Sequence, residues 1–205
     1  MSEAPVEVEV EVCWPRLRRA ALAEMTRAQK AAALARVQAD RAIEAAWEAV
    51  LICSLAGDTP DTLDPPPGTP GARSRGWAPD AELPGVSEFF VPELAVTLNC
   101  GRITATKRAR RAWTWQHSLP ATFAALAAGE IDEPRAAALA EAVQHVAPGL
   151  ARQVEARLLP QATGCSVGRL RSRAVALLVE LDAAGTDERR NGTPTCGSIP
   201  PPARG

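Results

Sequence analysis

Tyrosine is absent from this 205-residue chain, phenylalanine occurs three times, and methionine and histidine twice each. So few large side chains leave little with which to fill a bulky core. His117 and His145 are far apart and lack the H-x-x-x-H spacing of a metal-binding helix, so each reads as a surface or boundary side chain. No apolar run approaches 18 residues without a charge, which argues against a membrane-spanning helix. The opening Met1-Ser2-Glu3-Ala4 lacks the basic-then-apolar order of a signal peptide, and a cytoplasmic location is expected. Cys13, Cys53, Cys100, Cys165 and Cys196 are odd in number, widely spaced and never paired as C-x-x-C. They indicate neither a disulfide framework nor a zinc site, and free thiols in a reducing compartment are expected. Phosphate-binding loops, nucleophile elbows and dinucleotide turns are missing as motifs, so no enzyme activity, cofactor or small-molecule ligand is expected. Nor does one sign of charge prevail: 23 basic against 24 acidic residues leave a net charge of −1. That balance excludes a generally basic coat for nucleic acid but not a local basic patch.

What is abundant is alanine, about one residue in five. Alanine has the highest helix propensity and lets helices approach closely, so an all-α, Ala-rich helical bundle is expected. Residues 1–14 read as a tail or a short strand, because Val6 to Val12 alternates Val and Glu. Residues 15–190 read as the helical domain. A helical pattern begins at Pro15, and Thr26 to Gln29 has the spacing of a capping box. The helix that follows carries Leu34, Val37, Ile43, Trp47, Val50, Leu51 and Leu55 at spacings near three and four, and should end at Gly57. About 30 residues at 1.5 Å each give a rod of roughly 45 Å, long enough to offer a self-association surface. Eight of the 18 prolines lie between Pro60 and Pro92. Residues 58–85 therefore read as a semi-rigid strap, with Trp77 as its anchor on the helices.

Short helices with clear punctuation follow. Pro92 to Leu98 is expected to stop at Gly101, and Thr104 can cap a helix to about His117. Pro120 to Ala128 ends at Gly129, and Asp132 with Pro134 opens a helix to about Val146. Leu150 to Leu159 is amphipathic, and Ser166 can cap a last helix. Residues 191–205, rich in Pro, Gly, Thr and Ser, are expected to be a disordered tail.

The basic helix from Thr104 is the sharpest functional feature. At about 100° per residue, Ala105, Ala109, Ala112, Trp113 and Gln116 share one side, which makes Trp113 a core candidate. Lys107, Arg110, Arg111 and Thr114 fall opposite, with Arg108 and Trp115 on the flank. A short helix, a turn containing Gly101 and Arg102, and a basic helix together resemble a helix-turn-helix DNA reader, although Asn99 to Ile103 is long for such a turn. Arg102, Lys107, Arg108, Arg110 and Arg111 are then the candidate nucleic-acid contacts. An ordinary solvated face fits the same residues. Trp113 and Trp115 also admit base stacking. Glu130, Asp132 and Glu133 sit at a helix start, where complementarity to the helix dipole accounts for them better than a metal site does.

Several strings together carry a family resemblance. They include Pro70 to Arg73 with Trp77, Pro84 to Phe90, Glu93 to Ala95, Asn99-Cys100, Leu119 to Thr122, Ala124 to Gly129, Pro134 to Ala136 and Val154 to Pro160. In these the chain resembles the domain-of-unknown-function 222 family, also called the 13E12 repeat family, over about residues 20 to 190. The resemblance implies an all-helical domain of the kind that usually precedes an HNH endonuclease domain. The paired histidines, asparagine and metal ligands of that nuclease have no counterpart in this sequence, so the resemblance carries no catalytic residue across. A shortened or frameshifted copy is one expectation for the ending at Gly205. The functions expected are a non-catalytic helical module that contacts DNA, or a protein–protein interaction module, or a relic without activity; an HNH-type endonuclease is the reading least favoured.

Overall fold

The computed structural model describes residues 24–66, 68–72 and 80–191. The expected strand at 6–12, the helical pattern from Pro15, Trp77 and the tail at 192–205 lie outside the described residues. The chain divides into two compact units, Met1–Val37 and Gln38–Gly205. Among the described residues there are seven α-helices and no strand, so the fold is all-α, as the alanine content leads one to expect.

In the first unit the capping box is realised on both sides. Gln29 donates its backbone N–H to Thr26 Oγ1 at 3.2 Å, and Thr26 donates its own to Gln29 Oε1 at 2.8 Å. Helix α1, Arg27–Asp58, starts there and extends through the first part of the second unit. It ends one residue beyond Gly57, where the Thr59 hydroxyl donates to Leu55 O at 2.9 Å and Pro60 prevents continuation.

The Pro-rich segment then leaves and returns at one point. Pro60 and Val86 form an isolated antiparallel bridge, Asp61 N–H donates to Gly85 O at 3.0 Å, and Ser87 N–H donates to Thr59 O at 2.9 Å. Leu83, buried to 4% exposure, pins the returning arm. The two ends of the segment thus meet beside the end of α1.

Five short helices and one long one complete the second unit: α2 Phe90–Thr97, α3 Arg102–His117, α4 Pro120–Ala127, α5 Glu133–Val143, α6 Pro148–Leu158 and α7 Val167–Asn191. Two terminators differ from expectation. Asn99, with φ of 46°, takes the left-handed position that ends α2, and Cys100 N–H closes the turn on Ala95 O at 3.0 Å. Gly101 is extended and serves as the N-cap of α3, so Thr104 lies inside the helix instead of capping it. The α2–α3 connection is therefore the four residues Leu98 to Gly101, a normal length for two helices meeting at a turn. Asp132 caps α5 as its sequence suggests, accepting from Arg135 N–H at 2.9 Å, and Ser166 caps α7 by accepting from Arg169 N–H at 3.3 Å.

The core is an alanine lattice with few large plugs. Ala42, Ala46, Ala49 and Ala56 of α1 share one buried cluster with Ala105, Ala109 and Ala112 of α3 and Ala136, Ala137 and Ala140 of α5. Trp115, Phe90, Leu94, Leu119, Leu126, Leu139 and Leu170 fill the wider spaces. Small side chains make the approach close: a Cβ on Gly129, whose φ is +72°, would stand 3.1 Å from the Ala39 Cβ. Gly129 is therefore required both for its left-handed backbone and for the α4–α5 turn to reach α1.

Candidate functional site

Helix α3 lies among its neighbours, packing on α2, α4 and α5. Its packed surface is correspondingly wide: Ala105, Ala109, Ala112, Thr114 and Trp115 are all buried. This refines the assignment of the two tryptophans. Trp115 is the fully buried one, at 1% exposure, with its indole N–H donating to Ala136 O at 3.0 Å, while Trp113 packs against the core from its edge. Trp113 is only half-buried and stacks on His117, ring centroids 4.1 Å apart and planes 18° from parallel. The helical wheel places both correctly around the axis; it does not say that α5 approaches from the Trp115 side.

The same crowding decides what the basic residues do. Arg108 pairs with Glu48 of α1 at 3.4 Å. Arg110 Nε lies 3.0 Å from Asp80 and 3.1 Å from Glu82, on the returning arm of the Pro-rich loop. Arg111 reaches Glu133 at the start of α5 at 2.7 Å and lies over the Trp115 ring, 5.0 Å from its centroid. Three of the five candidate cations are thus partly buried ties between α3 and three different segments. Arg102 and Lys107 are exposed. The five do not form one free basic face.

The acidic residues near α5 divide in the same way. Asp132 caps the helix and also holds the Arg135 guanidinium, Glu133 holds Arg111, and Glu130 is exposed. Arg135 Nε continues to the carbonyls of Ala162 and Cys165 at 3.2 and 2.9 Å, which ties α5 to the start of α7. His145 Nδ1 approaches Glu82, which also accepts from Gln144. Among the described residues no group of His, Cys, Asp and Glu is placed to hold a metal ion. Two of the clefts beside α3 are lined by charged side chains. One, of about 470 Å³, is lined by Asp80, Glu82, Ser87, Arg102, Thr106 and Arg110; the other, of about 210 Å³, lies among Arg41, Glu48, Arg108, Arg111 and Trp115. In each, carboxylates and guanidiniums pair with one another across the cleft wall.

Two features are not signalled by motif. Glu155 of α6 is buried to 4% exposure and accepts from Thr122 N–H at 2.6 Å, so a carboxylate from another helix caps α4. The second is α1 itself. The residues it packs inward are Ala42, Ala46, Ala49, Ile52 and Ala56. Its larger side chains Ile43, Trp47, Leu51 and Leu55 remain 42%, 58%, 48% and 44% exposed. At about 100° per residue these two sets fall on opposite sides of the helix. Apolar side chains at successive i+4 positions thus form a continuous ridge in solvent, three turns long, on the longest of the described helices. A single exposed leucine means nothing, but a contiguous ridge of large apolar side chains is unusual on a protein surface. The Cys53 thiol lies at the edge of the packed face, where burial pushes its pKa up to about 11 and keeps it protonated and unreactive.

No helix among the described residues is long and apolar enough to cross a membrane. No curated protein and no solved structure matches the sequence. A family model does: the one described as Domain of unknown function (DUF222) matches residues 78–196, from the returning arm of the Pro-rich loop through α7. That match begins later than the resemblance over residues 20 to 190 suggests, and it leaves α1 outside. It covers more than half of the chain, which belongs to the DUF222 family.

Proposed function

We propose that the chain is a non-catalytic helical interaction module, in the setting of the HNH-nuclease-associated proteins to which the family resemblance points, and that it docks through the outer face of α1. The observation that carries this reading is the reversal on α1: alanines packed inward, Ile43, Trp47, Leu51 and Leu55 left in solvent. Burying large apolar side chains is the main driving force for both folding and association, and this helix withholds four of them from folding. The non-catalytic half of the reading rests on the sequence, which offers no counterpart to the paired histidines and metal ligands of the HNH nuclease.

The test is accessibility. Iodide should quench a large share of the tryptophan emission of the native chain, and Trp47→Phe should remove that share without moving the thermal midpoint. Emission that iodide does not reach, or a Trp47→Phe variant that melts much earlier, would mean that this face is packed within the chain.

DNA contact is a second reading, favoured by Arg102 and Lys107, which are exposed on neighbouring turns of α3. With two such cations, phosphate contacts would be few and the salt dependence shallow, near two counterions by the usual proportionality. A duplex titration at two salt concentrations decides it. Binding at low salt that Arg102→Glu with Lys107→Glu abolishes would support the reading, and no binding at low salt would end it.

A further inference from the structure

Resting on the docking reading above, we infer that the occupant of the α1 face is a second copy of this chain, paired antiparallel about a two-fold axis between Trp47 and Leu51. The shape of the surface is the first argument. Side chains at i, i+4, i+8 and i+12 form the kind of ridge that fits the groove between equivalent ridges on another helix. A two-fold interface is self-complementary, so residue i meets j while j meets i. Ile43 then faces Leu55, and Trp47 faces Leu51, each pair occurring twice. The smaller residues between the ridge members, Ser54 and the half-buried Val50, leave room for a partner's tryptophan.

Charge is the second argument, and it selects the partner. Upstream of Ile43, α1 carries Arg27, Lys30, Arg36 and Arg41 against Asp40 alone. Downstream it carries Glu44, Glu48 and Asp58, and no lysine or arginine occurs between Arg41 and Arg73. The helix is basic at one end and acidic at the other. A parallel pair would set like charges side by side. An antiparallel pair sets the mainly basic end of each helix against the acidic end of the other; about this axis Asp58 stands opposite Asp40. A helix polarised in this way is complementary to its own reverse, which is the pattern a two-fold pair requires.

Magnitude sets the expected strength. Four side chains about half exposed offer on the order of 400 Å² per copy, near half of the ~800 Å² per partner in a standard interface. The pair should therefore be weak, with dissociation in the micromolar range.

The experiment is sedimentation of the full chain from about 1 to 300 µM, in low salt, beside three variants. Native protein should pass from monomer to dimer. Trp47→Ala and Leu51→Ser should raise the dissociation constant at least tenfold with unchanged circular dichroism. Asp40→Arg, which sets a cation opposite Asp58 of the other copy, should strengthen the dimer several-fold. A dimer that survives Trp47→Ala, or one that Asp40→Arg fails to strengthen, would overturn the inference. So would a monomer at every concentration, and iodide quenching then separates the two failures. A monomer whose Trp47 is quenched refutes the second copy and leaves the face open to another partner. A monomer whose Trp47 is shielded refutes the docking reading as well.

Discussion

Helices α1 and α3 are built from nearly the same materials, alanine with scattered arginine and tryptophan, and they use them in opposite ways. Helix α3 turns almost everything inward. Its tryptophan Trp115 is buried and hydrogen bonded to Ala136 O, and Arg108, Arg110 and Arg111 are drawn to carboxylates on α1, the returning loop arm and α5. Helix α1 packs its small residues and holds its large ones out, with Trp47 at 58% exposure beside Ala46 at 3%. The difference shows that composition alone does not assign a helix to core or to surface. The number of neighbours does. A helix surrounded on several sides turns even its cations into structural ties, whereas a helix packed on one side can leave a whole apolar ridge for something else.

The sharpest way to break this contrast is to remove the plug of α3. Trp115→Ala should cost about 3–5 kcal/mol in chemical denaturation, through a cavity in a lattice too rich in alanine to collapse and through loss of the indole hydrogen bond to Ala136 O. A loss under about 1 kcal/mol, the scale of an ordinary surface change, would mean that the tryptophan does not sit where the contrast requires.

Next in size is a substitution that adds hydrophobicity and should nevertheless harm. Ala46→Leu puts extra methylenes into the packed face of α1 and should destabilise by about 1–3 kcal/mol, as overpacking does. Its neighbour Trp47 should tolerate truncation to alanine with a change within about 0.5 kcal/mol for the monomer, as surface positions do. If Ala46→Leu stabilised the chain, α1 would not be the close-packed helix described.

Much of the fold is legible in the sequence, because the signals are local. The capping box at Thr26 and Gln29, Asp132 and Ser166 as caps, Pro134 in a first turn and Gly129 as a terminator each follow from chemistry within a few residues. The α2–α3 punctuation is harder, since Asn99 and Gly101 are both good terminators and only the backbone shows which takes the left-handed turn. The site is far less legible. Arg110 finds Asp80 across 30 residues, and Thr122 finds Glu155 across 33, so their pairing is a product of tertiary packing. The α1 pattern gives a helix but does not say which of its faces packs, for a physical reason. Periodicity of large apolar residues identifies a face, but in an alanine lattice the face that packs is the one with the smallest side chains.

Smaller effects separate the two kinds of cation on α3. Arg111→Met should cost about 1 kcal/mol, because it strands Glu133 and loses the stack over Trp115, while Lys107→Met should change stability by under about 0.5 kcal/mol. Equal effects in urea titrations would erase the distinction between tie and free charge. The smallest expected effect concerns the thiol beside the packed face of α1. Because burial raises the Cys53 pKa from 9.0 to about 11, the unfolded chain loses this proton first as pH rises. Its contribution is fully present below pH 9 and should fade between pH 9 and 11. Cys53→Ser should flatten that part of the pH–stability curve, and near neutral pH Cys53 should react with a disulfide reagent more slowly than in denatured protein.

The claim that α1 keeps its apolar ridge for contact and not for folding is tested most directly by chemical denaturation of native protein and Trp47→Ala at about 1 µM and 100 µM. The two should coincide at the lower concentration, and only the native chain should gain stability at the higher one, since a dimer stabilises the folded state by mass action. A Trp47→Ala variant that is weaker by about 2 kcal/mol or more at both concentrations, the scale of a large side chain buried within its own fold, would contradict it.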